Sequence, residues 1–390
     1  VSHFYLGRAQ LVLGNTVAAS EQLEAALERD PDLVPARLEM TRLHLRQGRV
    51  DTARDDVAEL TRLAPNLPDT LLLTGLVDLA GKDLDGAAAA FTHVTKIAPD
   101  SAEGFFELGR VEVLRKHEKA ATAALEHALK LVPDHAEALG LLVAMDLDHK
   151  QPDQAEARVR AQLKERPDSA PLHHLLGSVL MARGQRDAAI AAFEDAVKAD
   201  PMYLTAYTAL GAAYGEAGDY DKAIARLKAG IERDPRHVGA HMLLGIVYEQ
   251  MGKIDDAIQA YREVLDVSPK FVPAANNLAW LYATGHGNLD VALGLAQTAR
   301  EQAPEDPSVA DTLGWIYYRK GFPDRALGLF QEALAKVGDH PVILYHAAEA
   351  SLKANQPARA RDYLTRALAG DRPVPERAEA EKALAALKGK

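Results

Sequence analysis

Apolar residues in this chain recur at i, i+3, i+4 and i+7 over stretches of roughly twelve to fourteen residues, the spacing of a helix with one buried face. The stretches come in pairs. The clearest pair predicts helices over Leu204 to Ala217 and Asp221 to Arg233. Gly218 between them can take the left-handed conformation that ends a helix, and Asp219 can accept a hydrogen bond from the free N–H groups that open the next one. Pro235 then stops the second helix, because proline has no N–H and its ring clashes one turn back. Gly211 and Ala223 are small enough to let the two backbones approach. A larger side chain there overpacks the contact, at about 1–3 kcal/mol.

The pair repeats. Alanine stands at positions 19, 53, 87, 121, 155, 189, 223, 257, 292, 326 and 360, every step being 34 residues except one of 35. Proline keeps the same beat at 31, 65, 99, 133, 167, 201, 235, 269 and 304. Twelve residues before the alanine, seven units carry glycine: Gly7, Gly75, Gly109, Gly177, Gly211, Gly245 and Gly314. A fixed period of this length means one supersecondary unit stacked many times. A single helix pair cannot bury its apolar face alone, so stability comes from neighbouring units and the chain length sets no limit on a single domain.

The unit Tyr207, Leu210, Gly211, Tyr214, Gly218, Asp219, Ala223, Leu227 and Pro235 resembles the tetratricopeptide repeat family at its small, aromatic and proline positions. The resemblance implies an all-α, right-handed superhelical solenoid of about eleven helix-turn-helix units over residues 1–371, with a capping helix in 372–390. In that last segment Pro373 and Pro375 precede a helix from about Glu376 to Leu387, with Ala380, Ala383, Leu384 and Leu387 as its apolar stripe. Units two and five carry Thr41 and Val143 where the family has glycine, and are expected to pack less tightly. Val1 falls inside the first helix without an initiator methionine or a polar lead-in. The expectation is a native chain that continues upstream. It leaves room for a targeting or regulatory arm of a larger enzyme, and for self-association through an uncapped N-terminus.

Composition narrows the function. The net charge of −11, from 45 basic and 56 acidic residues, opposes a broad nucleic-acid surface. That also counts against a repeat protein reading RNA base by base. Cysteine is absent, which removes disulfides, thiolate metal sites and a cysteine nucleophile. No run approaches the roughly 18 apolar residues of a membrane span. Among fourteen histidines, His173 and His174 are sequence neighbours on a helix and point in different directions, His237 and His241 straddle an inter-unit turn without an accompanying carboxylate cluster, and satisfied or solvated rings are the expectation. Thr284, Gly285, His286, Gly287 and Asn288 are glycine-rich without a preceding strand, and hold the one-residue insertion. No catalytic constellation, metal or cofactor is predicted.

Binding is the remaining expectation. By family resemblance the first helix of each unit lines a concave groove, and Trp280 and Trp315 occupy the same inner position in successive units. Around them stand Asn276, Asn277, Asp311, Tyr318, Arg319 and Tyr345, while Arg8, Arg42 and Arg110 mark the N-terminal part as a row suited to an acidic segment. Asparagine donates to and accepts from a peptide backbone, and rigid aromatics give contact area at low entropy cost. The family's lysine and asparagine clamp for a C-terminal carboxylate does not assemble here, which argues against a heat-shock co-chaperone. The succession NNLAWL at 276–281 and DTLGWIYY at 311–318 resembles bacterial members that accompany exopolysaccharide production and envelope protein sorting. The sequence therefore predicts a non-enzymatic scaffold for protein or peptide segments, with periplasm, envelope or cytoplasm left open.

Overall fold

The computed structural model describes residues 2–369 and 377–388; Val1, Pro373, Pro375 and Glu376 lie outside them. The described residues are helical, with no strand. They fall into two compact units, Val1–Asp200 and Pro201–Lys390. The first holds six helix pairs: α1 (Ser2–Val12) with α2 (Thr16–Arg29), α3 (Val34–Arg46) with α4 (Val50–Leu63), α5 (Pro68–Ala80) with α6 (Leu84–Ile97), α7 (Ala102–Leu114) with α8 (Glu118–Leu131), α9 (Ala136–Asp148) with α10 (Pro152–Glu165), and α11 (Ala170–Ala182) with α12 (Arg186–Ala199). The second holds α13 (Leu204–Glu216) with α14 (Tyr220–Arg233), α15 (Val238–Gln250) with α16 (Ile254–Val267), α17 (Val272–Leu281) with α18 (Leu289–Gln302), α19 (Pro307–Arg319) with α20 (Pro323–Val337), and α21 (Pro341–Lys353) with α22 (Pro357–Ala369), followed by α23 (Arg377–Lys388). Within each unit the second helix of a pair also packs on the first helix of the next.

All eleven recurring alanines have 0% of their surface exposed. They sit where a second helix meets its first helix, and the methyl group fills the space available. The recurring glycines face a large side chain sixteen residues on. A Cβ on Gly75 would lie 2.5 Å from the Phe91 ring, one on Gly109 would lie 2.6 Å from Leu125, and one on Gly211 would lie 2.5 Å from Leu227. In two pairs where a larger residue replaces the glycine, the partner is smaller: Thr41 is followed by Val57 and Val143 by Val159, all four buried. The helices of these two pairs, α3 with α4 and α9 with α10, touch each other less extensively than those of any other pair, as expected.

Of the two sequence expectations about this turn, one holds and one is corrected. Gly218 does adopt the left-handed conformation, with φ of +78°, as do Gly14, Gly48, Gly184, Gly252 and Gly321. But four other pairs place Lys82, Lys116, Lys150 and Asn355 in that conformation, with φ from +58° to +65°. The turn geometry is thus common to the array and glycine is not obligatory, although an L-residue there costs about 1–2 kcal/mol. Asp219 does not cap α14 with its side chain. Its carboxylate accepts instead from the Lys222 ammonium at 2.9 Å, a competitor one turn away. Side-chain caps do form at Asp83, Ser101, Asn288 and Asp306.

The 35-residue step is absorbed in a single π turn, Tyr282–His286, which follows α17. Gly285 turns the chain with φ of +119°. Gly287 has no side chain because the Tyr282 ring occupies that space. Downstream, Ala292 is again fully buried, so the insertion leaves the next helix in phase. In α23, Ala380 and Leu387 are buried and Ala383 and Leu384 half-buried against the cluster of Tyr363 and Leu364, the stripe expected of a terminal helix.

Candidate partner-binding cleft

In the second compact unit, residues of α15, α17, α19 and α21 line a cleft of about 390 Å³. Helical spacing places Asn276, Asn277 and Trp280 of α17 beside Ser308, Asp311 and Thr312 of α19. Glu249 closes one end from α15, while Val337, His340, Val342 and Ile343 close the other. The lining mixes the apolar side chains of Trp280, Pro307, Val337, Val342 and Ile343 with polar groups that can fix a ligand's orientation.

Behind this wall is an aromatic cluster. The Trp280 and Trp315 rings are 6.2 Å apart and tilted by 39°. His346 is buried beneath both, 5.6 Å from Trp280 and 4.4 Å from Trp315. Its Nδ1 lies 2.8 Å from Asp311 Oδ1, which fixes both side chains. Trp315 stacks on Tyr318 at 4.8 Å. The Tyr318 hydroxyl donates to Glu349 at 3.1 Å, and burial together with that carboxylate pushes the phenol up to about 12. The Lys353 ammonium sits 4.6 Å over the same ring.

A second chain of polar contacts holds Glu249. The Tyr261 hydroxyl of α16 donates to its carboxylate, and the Asn277 amide donates to that hydroxyl at 3.3 Å. Burial raises the Glu249 carboxyl above its ordinary range, and the Tyr261 hydrogen bond only partly offsets this. Burial and the same hydrogen bond also raise the Tyr261 phenol. Among the described residues, Asn276 Oδ1, Trp315 Nε1 and His340 Nδ1 are buried without a hydrogen-bond partner.

The structure therefore gathers four expected residues, Asn276, Asn277, Trp280 and Asp311, in one cleft wall. Trp315 and Tyr318 stand behind it, and Tyr345 is buried beside His346 at 6.2 Å between rings. Arg319 turns to the π turn and donates to the Ala283 carbonyl at 2.6 Å. The arginine row belongs to the other compact unit. Arg8 is exposed, 5.8 Å over Phe4. Arg42 pairs with Glu39 and Asp69 at 3.1 and 3.2 Å. Arg110 donates to the buried Glu107 carboxylate at 2.8 Å through Nε.

Glu249, His340 and His346 were not anticipated. Glu249 had a signal, since it lies three residues after Ile246, the inner-groove position of its unit. His340 precedes Pro341 in a loop, and periodicity carries no information there. In each of the two histidine pairs set aside as metal sites, one ring is held by a backbone carbonyl, and His241 Nδ1 also lies 2.7 Å from the Glu263 carboxylate. His173 and His241 lie near the carbonyls of Pro167 and Pro235, six residues earlier, at 2.7 and 2.9 Å. Tyr207 makes the same contact with Pro201 at 3.1 Å. No group of three or more His, Asp or Glu among the described residues is placed to hold a metal ion. Nor is any helix among them long and apolar enough to cross a membrane.

Helix pairs that repeat along the chain and pack on their neighbours define a helical-repeat fold. Family models agree on which kind: tetratricopeptide repeat models match residues 11–73, 248–316 and 312–378, and the tetratricopeptide domain of cytochrome c-type biogenesis protein H matches 144–275. The chain belongs to the tetratricopeptide repeat family and has its all-α repeat solenoid fold. Solved structures of similar fold include yeast Tom70, 15% identical over 91% of this chain and 89% of that one, with a TM-score of 0.57. The Cut9–Hcn1 hetero-tetramer of the APC/C contains a chain 13% identical over 98% of this chain and 95% of its own, with a TM-score of 0.54. A comparison with curated proteins finds no match. The family typically mediates protein–protein interactions, and its fold is generally non-catalytic; these likenesses carry the fold, and the site must carry the rest.

Proposed function

We propose that this chain is a non-enzymatic scaffold that holds a segment of a partner protein in the cleft walled by α17 and α19. The observation that carries this reading is Trp280, a half-buried aromatic that lines one cleft together with Asn276, Asn277 and Asp311. Amides read a peptide backbone, and a rigid ring beside them anchors a side chain. Arg8, Arg42 and Arg110 offer a further contact surface for an acidic segment. The bacterial envelope, with exopolysaccharide or sorting machinery, is the setting that the NNLAWL and DTLGWIYY succession supports.

Affinity capture from separated cytosolic and envelope extracts tests the reading, using the wild-type chain beside Trp280→Ala and Asn276→Ala. Proteins retained by the wild type and lost with both variants are the expected result, concentrated in the envelope fraction. Identical captures by all three chains would remove the cleft from the function.

A further inference from the structure

The kind of segment the cleft selects follows from its charge, an argument that rests on the partner-binding reading above. Its lining includes two carboxylates, Glu249 and Asp311, and neither lysine nor arginine. The two are not equivalent. Asp311 is committed to His346 at 2.8 Å. Glu249 receives only neutral donation, from the Tyr261 hydroxyl, which the Asn277 amide supports in turn. It therefore presents an uncompensated negative charge at the edge of a partly desolvated cleft. The Trp280 ring lines the same space, and an indole face attracts a cation by about 0.5–2 kcal/mol. Pro307, Val337, Val342 and Ile343 add apolar surface to the same lining.

We propose that the cleft recognises a cationic side chain, lysine or arginine, in an extended partner segment, with the ammonium or guanidinium against Glu249 and the aliphatic stem along Trp280. This fits the length of such side chains, which bury an apolar stem and carry charge only at the tip. It also fits the energetic state of Glu249. Burial raises that carboxyl because it penalises the charged form, and an incoming cation would offset that penalty. An acidic segment would place like charges together in a desolvated site, which costs affinity.

The test uses the full chain immobilised and four nonapeptide pools, acetylated and amidated, with randomised uncharged flanks and a central lysine, arginine, norleucine or glutamate. Norleucine keeps the stem of lysine and removes its charge. Retained peptides are quantified by mass spectrometry on the wild type, Glu249→Gln and Trp280→Ala, with far-UV circular dichroism confirming that each variant stays helical. The expected result is at least tenfold enrichment of the lysine and arginine pools over norleucine on the wild type, reduced to near parity on Glu249→Gln. Equal retention of norleucine or glutamate on the wild type, still lost with Trp280→Ala, overturns the charge selectivity while leaving the peptide cleft intact. Retention of no pool overturns both. Because Trp280 and Trp315 are the only tryptophans in the chain, a shift in intrinsic fluorescence on Trp315→Phe then reports occupancy at Trp280 directly.

Discussion

Gly314 and Phe330 stand sixteen residues apart, and the phenyl ring fills the place where a Cβ on Gly314 would be, with Cε1 2.6 Å from that point. The ring is fully buried and lies 5.8 Å from His346, so this contact also underlies the aromatic cluster. Gly314→Ala should therefore overpack the α19–α20 contact and cost about 1–3 kcal/mol. Gly328, in the middle of α20, has nothing within 4 Å of its Cβ position. Gly328→Ala should instead stabilise by up to about 1 kcal/mol, because glycine is the poorer helix former. Thermal melts of the two variants should move in opposite directions. Since each pair touches only its neighbours, faster amide exchange in Gly314→Ala should centre on α19 and α20.

The Thr41 and Val57 pair predicts a volume compensation. Thr41→Gly alone should lose about 2 kcal/mol through the space it opens and the flexibility it adds. Combining it with Val57→Leu, which restores the glycine and leucine combination seen at Gly109 and Leu125, should recover about 1 kcal/mol. A double-mutant cycle measured by urea unfolding checks this. Strict additivity of the two changes would show that the residues are not coupled across the helix pair.

Trp280 and Trp315 share a repeat position and should separate in their effects. Trp315 stacks on Tyr318 and His346, so Trp315→Ala should destabilise by about 2 kcal/mol, less than a fully buried tryptophan would cost. Trp280 lines the cleft, and Trp280→Ala should weaken partner binding at least tenfold, about 1.4 kcal/mol, with a smaller effect on melting. Measuring melting temperature and binding on both variants distinguishes the roles. Matching losses of stability and affinity in the two would contradict the separation.

Glu249 gives a pH signature. Its carboxyl is raised in the folded chain, so the folded state binds the proton more tightly than the unfolded chain does. The stability associated with that proton is present below the ordinary carboxylate range and is lost as pH rises through the folded value. Tyr261 and Asn277 face the group from α16 and α17, and Asp311 and His340 lie across the cleft. Glu249→Gln should accordingly melt higher than the wild type at pH 7, with the difference shrinking toward pH 4. A constant difference across that range would assign the effect to packing rather than ionisation.

The helix pairs and their core were legible in the sequence because one geometry is written eleven times. The buried alanine at each step and the proline just after the second helix in nine of the eleven pairs show this. The turns were less legible. A left-handed residue can be lysine or asparagine as well as glycine, and Lys222 competes for the Asp219 carboxylate. In the cleft, residues one or two helical turns apart on the same first helices were accessible to comparison by repeat position, which is how Trp280 and Asp311 come together with Asn276. Glu249 was reachable by following the same helix face one further turn. His346 was not, because its role depends on Asp311 in the preceding pair, 35 residues away, and a comparison of equivalent positions cannot find a partner that occupies a different one.

The π turn at Tyr282–His286 has a consequence for how such a chain can change length. An added residue would ordinarily rotate everything downstream by about 100° and expose the next apolar face. Here the surplus is confined to one loop, tied by Arg319 at the Ala283 carbonyl and by the Tyr282 ring beside Gly287, and Ala292 returns to the interior. The joint between α17 and α18 behaves as an expansion gap: the array gains a residue there without losing count, and the helices that follow keep their register.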